Sequence, residues 1–583
     1  MKCLTANQLL QPTQNYRVSS SFIALQTPLP AFATPLKPFR LSSPYTIALD
    51  SLTQQKPTIP SYIAPWWMNS QAMAKELDPH HLVALMNFEF HGKQGRASRH
   101  LDPTSHCLKY GISDDHDTNV RTFPVLDAIA SISVSQGKSQ VVAVALQLNS
   151  EKHKINLTIA QNREVREGLV NYLTDIWAKL KDLSDEYARH RARGSKEYQG
   201  RSPEMPEDVG LPFRIEIFRD IYLYSLKKQR SRIEKWWDNL CLFWMDVRER
   251  RGGTNLQGIE VNLYNAIAGL SLTLKLIDGL HENPQNQLTY QEWETIYSNS
   301  IWVLKNIRLV LAERGGSSCE NLALELKDYH PKGPFELRRA LEKLISLDRH
   351  IDALFAFAHS PHLRSALQYD LSISVVPEQT RTVRLPTSQQ QWQSILEAIC
   401  IQCYDWQGKD ARHLLKKFPP KEHKCPVHCE CGLIQYLHTK QNTVWGDVPP
   451  FRYIGVSKLS CSACRTWIEA FNELEGRQFY TRGSHGKWYW PWGMPMVEES
   501  LGKIMVGKIS DEYIAHQLEL GNLKLSSDSS NASSPEGAHT DLSAAQEELV
   551  TGNIANAELE YGSSSFDLIG EFVLVDYCAG GTS

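Results

Sequence analysis

The residues best suited to chemistry crowd into positions 424–432, which read KCPVHCECG. Cys425, His428, Cys429 and Cys431 fall within seven positions, with Glu430 among them. Thiolates and imidazoles are the ligands zinc favours. A second pair, Cys461-Ser462-Ala463-Cys464, begins 31 positions after Glu430. His428 at the start of one helix and Cys461 and Cys464 at the start of another can converge on one zinc ion. Three protein ligands leave a fourth tetrahedral position for water, which distinguishes a catalytic zinc from a structural one. Helix N-termini favour the thiolate form of cysteine. Zinc brings the pKa of a bound water from ~16 toward ~7. Glu430, two residues from His428, is close enough to take that water's proton and pass it on.

A closed structural zinc competes with this reading. Cys400 and Cys403 with Cys461 and Cys464 would make a four-cysteine site, and His423, Cys425, Cys429 and Cys431 could close another. Glu430 argues for the open site, because a structural zinc has no use for a carboxylate at that spacing. Cys400 and Cys403 lie on a helical run and read as core. Cys429 and Cys431 read as packing residues, and His423 and His438 as surface ones.

The surrounding elements must bring the two motifs together. "QVVAVALQLNSEKHKINLTIAQN" (140–162) reads as a hairpin of two β-branched runs. From 163 the period becomes helical: Val165, Leu169, Leu173, Ile176, Leu180 and Leu183 recur at three- and four-residue steps. Further helices are expected over 218–251, 261–280, 289–314 and 334–358. "LSISVV" (371–376) and "TRTVRLP" (381–387) read as two strands across the turn-like PEQ. A helix at 462–476, ending at Gly476, follows a strand at 449–458. "RQFYTRGSHGKWYWPWGMP" (477–495) reads as strands around a glycine turn.

H-x-E followed by C-x-x-C is the pattern of zinc-dependent deaminases. The segments "HCECGLIQYL", "YIGVSKLSCSACRTWIEAFN" and "FYTRGSHGKWYWPW" together resemble the OTT_1508-like deaminases, a family common in fungal proteomes within the cytidine-deaminase-like fold. The resemblance covers roughly residues 420–495. It implies a five-stranded sheet sandwiched by helices, with His428, Cys461 and Cys464 as zinc ligands at two helix N-termini and Glu430 as the proton shuttle. Two departures stand out. Ser460 occupies the place where many deaminases carry proline. The fold also needs two strands before the H-x-E helix; the strands at 371–387 are separated from it by a helix, so either an insertion intervenes or "HKCPVH" is itself the second strand.

In "TRGSHGKWYW", Arg482, Ser484, His485 and Lys487 are candidates to hold a phosphate or ribose, and Trp488, Tyr489 and Trp490 to stack on a base. A core-filling hairpin competes with that assignment. The basic stretches "RHRARGSKEYQGR" (189–201) and "RERRGG" (248–253) read as solvated loops before they read as nucleic-acid tracks.

The chain has 583 residues and a net charge of −3, so it is not a uniformly basic nucleic-acid binder. No apolar run approaches the ~18 residues of a membrane span. Residues 1–49 carry no Asp or Glu and much Ser, Thr and Pro. They read as a disordered leader, with an organelle transit peptide as the lesser reading. An intracellular, cytoplasmic or nuclear protein is expected, since cysteines cluster rather than spread as disulfides.

The expected architecture is α+β and multidomain. It comprises a leader (1–60), a mixed region with a hairpin (61–162), an α-helical region (163–364), an α/β/α deaminase-like zinc domain with a mixed sheet (365–510), and an acidic, largely disordered tail (511–583). The expected function is zinc-dependent hydrolytic deamination of a nucleobase in RNA, DNA or a nucleotide, with no membrane partner and with the helical region free to meet proteins. The competing reading is a helical scaffold carrying a structural zinc or an inactive deaminase fold. A compact salvage enzyme would not need so long an N-terminal part.

Overall fold

A computed structural model describes residues 77–91, 116–137, 140–194, 209–251, 256, 258–282, 288–313, 318–326, 335–361, 363–399, 409–439, 445–475, 478–495 and 498–520. The expected leader, Cys400, Cys403, Gly476 and the expected tail from 521 lie outside the described residues.

The two β-branched runs form a hairpin, β1 (Val142–Asn149) and β2 (Lys154–Gln161), paired antiparallel throughout. They are the centre of a four-stranded sheet ordered β3-β2-β1-β6, with β3 (Asp370–Val375) parallel to β2 and β6 (Gly455–Val456) antiparallel to β1. Where a fifth strand would lie, Tyr480 makes a parallel bridge to Tyr453. β4 (Thr380–Arg384) and β5 (Glu422–Pro426) form a separate antiparallel pair.

This topology corrects the strand assignment made from sequence. The strands at 371–376 and 381–387 do not pair with each other; one joins the main sheet and the other pairs with "EHKCP". The two strands beneath the H-x-E helix are β1 and β2, on the far side of the helical region. A zinc domain beginning at 365 therefore divides a sheet that the structure keeps whole. The physical reason is the pleat. Alternation turns Val142, Val144 and Leu146 to one face and Ala143 and Ala145 to the other, so the hairpin is buried on both faces and needs layers on each.

The alanine face, with Ala160 of β2, lets a helix approach closely. That helix is α13 (Cys429–Thr439), which is buried almost all round and packs on both β1 and β2. Beside it stands α14 (Ser462–Glu475), whose Trp467 and Phe471 are fully buried and stacked. Helices α1 (Pro79–Phe90), α11 (Gln389–Ile399), α12 (Lys409–Lys417) and α15 (Glu499–Glu519) complete this layer. Helix α15 includes residues 511–519, which the expected tail had claimed. Asp78 caps α1 by accepting from the His80 N–H, and Nε2 of His80 in turn accepts from the N–H of Met494.

The valine face is covered by α2 (His116–Ile132), α3 (Glu167–Gly194), α4 (Leu211–Arg250) and α9 (Ser346–His359). All six periodic residues from Val165 to Leu183 are buried there. Gly455 is required at the contact with α2, because a Cβ would stand 2.4 Å from the carbonyl of Leu126. Farther along α4, a third core joins it to α5 (Ile259–Glu282), α6 (Tyr290–Ala312), α7 (Cys319–Glu325) and α8 (Leu337–Leu344). The helix expected over 334–358 is thus two, α8 and α9, and a short α10 (Arg364–Gln368) leads into β3. Among the described residues, no helix is long and apolar enough to cross a membrane.

Candidate metal centre

Helices α13 and α14 aim their N-termini at one point. The carbonyl of His428 accepts the first α13 bond, from Gly432 N–H, and that of Cys461 accepts the first of α14, from Arg465 N–H. His428 and Cys461 therefore occupy capping positions, and Cys464 lies one turn into α14. The N–H donors at the helix starts need partners from outside the helix ladder, and that of Cys464 points to Cys461 Sγ at 3.4 Å. One of them is answered from afar: the Cys429 N–H donates to Oδ1 of Asn162, just past β2, at 3.2 Å.

Nδ1 of His428 is 3.5 Å from Cys461 Sγ and 3.2 Å from Cys464 Sγ, and the three atoms lie within 4.8 Å of one another. Tetrahedral zinc, with Zn–S ~2.3 Å and Zn–N ~2.0 Å, sets N···S edges at roughly 3.5 Å. The donor set and its spacing fit that ion. Burial pushes both thiols well above the ordinary thiol range. Only a nearby positive charge turns such groups into thiolates, and a divalent cation is the strongest available. Burial alone would depress His428, but its contact with Cys461 and the nearby Glu430 carboxylate raise it to about 9.

Among the described residues these three form a group able to hold a metal, and neither Cys425 nor His423 joins it. Cys425 is buried in β5, where the Gly493 backbone lies close to its carbonyl. Cys429 and Cys431 are buried beside Glu430, and Cys431 Sγ points to the Cys464 carbonyl. His423 and His438 are half-buried against Trp490 and Phe471 rather than free on the surface.

Glu430 is 3% exposed on the first turn of α13. The Cys429 thiol donates to its Oε2 at 3.4 Å. Its carboxylate lies within electrostatic range of His428, Cys431 and Cys464.

The 481–487 loop is stapled to the start of α14. Ser460 N–H donates to Gly483 O, His485 N–H to Ser460 O, and Ser462 N–H to Lys487 O. Ser484 is buried and spends its hydroxyl on the Ser460 carbonyl, so it holds the loop rather than facing outward. Trp488 is fully buried with its indole N–H on Glu512. Its ring fills the core, and the expected base-stacking role has no face available. Tyr489, by contrast, is 42% exposed, sets its ring edge to face with His485, and lies in the field of Cys461. Burial and then Lys487 hold His485 down at about 4, so its ring is neutral near pH 7. Nδ1 accepts the Lys487 N–H at 3.1 Å, which leaves the proton on Nε2. Arg482 is exposed on the same loop. Asn162 escaped the sequence reading because its partner is distant in the chain; the one local signal was a cap-type residue directly after a strand.

No curated protein and no solved structure matches the chain. Residues 427–496, which carry His428, Glu430, Cys461 and Cys464, match the family model of the OTT_1508-like deaminases.

Proposed function

We propose that the protein is a zinc-dependent hydrolytic deaminase acting on a nucleobase in a nucleotide or nucleic acid. The observation that carries this reading is the convergence of His428 Nδ1, Cys461 Sγ and Cys464 Sγ beside the buried carboxylate of Glu430. His428, Cys461 and Cys464 would hold the zinc. Bound there, the ion supplies Lewis acidity that brings a water's pKa toward ~7.

The remaining work belongs to the chain. Hydrolytic deamination replaces an amine on an amidine carbon by oxygen: water adds, the carbon–nitrogen bond breaks, and ammonia leaves. Glu430 accepts one proton from water, delivers it to the ring nitrogen of the base, and hands the second to the departing amine. The Cys429 thiol fixes Oε2 of Glu430 and leaves its other oxygen for this transfer. The neutral His485, with its Nε2 proton, donates toward the substrate, and the half-exposed Tyr489 ring offers the base a stacking face.

The test is ammonia release from cytosine- and adenine-bearing substrates by the zinc-loaded protein and by Glu430→Ala. Release by wild type and its loss in a variant that still binds zinc support the reading. Full activity in Glu430→Ala overturns it.

A further inference from the structure

We propose, building on the deaminase reading, that the helical region completes the substrate site with a phosphate-binding cluster. Its members are Lys228 and Arg232 of α4, Lys343 of α8, Arg349 of α9, and Lys458 and Arg482 of the deaminase-like part.

Placement is the first argument. The candidate metal centre lies at one end of the sheet, where β2 stops and Asn162 caps α13. At that same end β1 begins and β6 stops, with Ser457 and Val142 exchanging hydrogen bonds. Lys458 follows directly. The last turn of α2 also reaches this end, and Nζ of Lys228 donates to its Ser131 carbonyl at 2.7 Å. The Ser131 hydroxyl meets Nε2 of His350 at 3.0 Å, which brings α9 to the same place. The loop stapled beside Cys461 carries both Arg482, which acts on the cluster, and His485, which lies in the field of His428 and of Lys343.

Charge is the second argument. The field of Arg232 reaches Lys228, Lys343 and Lys458, and that of Arg482 reaches Lys343 and Arg349. Six basic side chains from three helices and two loops thus press on one another. Three acids share that field and offset part of it, Asp348 acting on Arg232 and Asp127 on Arg349 and Arg482. Asp127 accepts from the Tyr453 hydroxyl and the Val456 N–H, and Asp348 from the hydroxyls of Tyr222 and Ser300. Glu342 is the remaining acid in that field.

Two further observations point to a ligand. Nη1 of Arg232 is buried without a hydrogen-bond partner. A buried guanidinium N–H without an acceptor is costly, and a phosphate oxygen fits it. Lys343, Lys458 and Arg482 remain open to solvent. Lys343, exposed and in the field of Arg482 and Arg232, is where an anion can enter.

The experiment is calorimetric titration of pyrophosphate into the full zinc-loaded chain and into Lys343→Gln and Arg482→Gln. Both changes sit on accessible side chains, so folding is preserved. Saturable binding to wild type, weakened about tenfold or more in each variant, is expected. Absence of binding, or equal binding to all three proteins, overturns the proposal. Competition then separates two sources of the phosphate. Displacement of pyrophosphate by a single-stranded oligonucleotide at far lower concentration than by a mononucleotide supports a polynucleotide substrate; equal potency supports a free nucleotide. Failure of the deaminase reading is distinguishable, since it appears as absent ammonia release while pyrophosphate binding persists.

Discussion

Asn162 closes the start of the H-x-E helix: its Oδ1 accepts the backbone N–H of Cys429 across 267 positions of chain. Asn162→Ala leaves that donor without its partner. The expected cost is about 1 kcal/mol of stability, as for other lost caps. Because Cys429 follows His428, zinc affinity is also expected to fall by roughly tenfold, the scale of outer-shell effects. Denaturant melts and competition with a chromogenic chelator measure the two separately; unchanged values in both would remove Asn162 from the site.

Elemental analysis checks the metal. One zinc per chain is expected in wild type and in Cys425→Ala, and none in Cys464→Ala. Retention in Cys464→Ala, or loss in Cys425→Ala, would place the metal elsewhere.

Glu430→Gln keeps size and shape but cannot carry the proton. The expected result is zinc content equal to wild type and a turnover lower by ~10²–10⁴-fold. A small change in turnover would mean that another group moves the proton.

Acid should weaken the helical region through His359. It is 8% exposed against Tyr187, and burial, then Arg191 and Arg214, hold it down at about 4. In the unfolded chain it titrates near 6.5. The folded state therefore binds fewer protons between these values. The contribution, on the order of 3 kcal/mol, is complete above pH ~6.5 and lost as pH falls through ~4. His359→Gln should flatten that part of the stability–pH curve relative to wild type. Parallel curves would show that His359 does not titrate in this window.

Gly455→Ala places a methyl group against the Leu126 carbonyl. A loss of about 1–3 kcal/mol is expected, from the strain of moving α2 off β6. An unchanged melting temperature would contradict the packing described.

The four residues of the candidate site were legible because their logic is local. His428 and Glu430 share one helix turn, and Cys461 and Cys464 another. The helical stripe from Val165 to Leu183 was legible for the same reason. The sheet was not. Nothing in "LSISVV" says that its partner is β2 rather than the neighbouring "TRTVR", because ladder hydrogen bonds carry no side-chain signature. The aromatic run at 488–492 shows the same limit: Trp488 and Trp492 turn inward and Tyr489 outward, and only the packing of α15 decides which. The basic cluster was illegible in full, since its members come from three helices and two loops that meet only in the fold.

The divided sheet has a consequence in time. At the ~5–20 residues per second of protein synthesis, Cys429 follows Asn162 by roughly 15–50 s. For most of that interval the nascent β1–β2 hairpin has one edge waiting for β3, and for all of it the other edge waits for β6 and the alanine face for α13. Of the helices made in between, α3, α4 and α9 cover the valine face, while α11 and α12 of the alanine-face layer come only late in the interval. Birth of the metal centre is therefore the last step in a long sequence, and zinc can act on the finished layers but not as a template for the first ones.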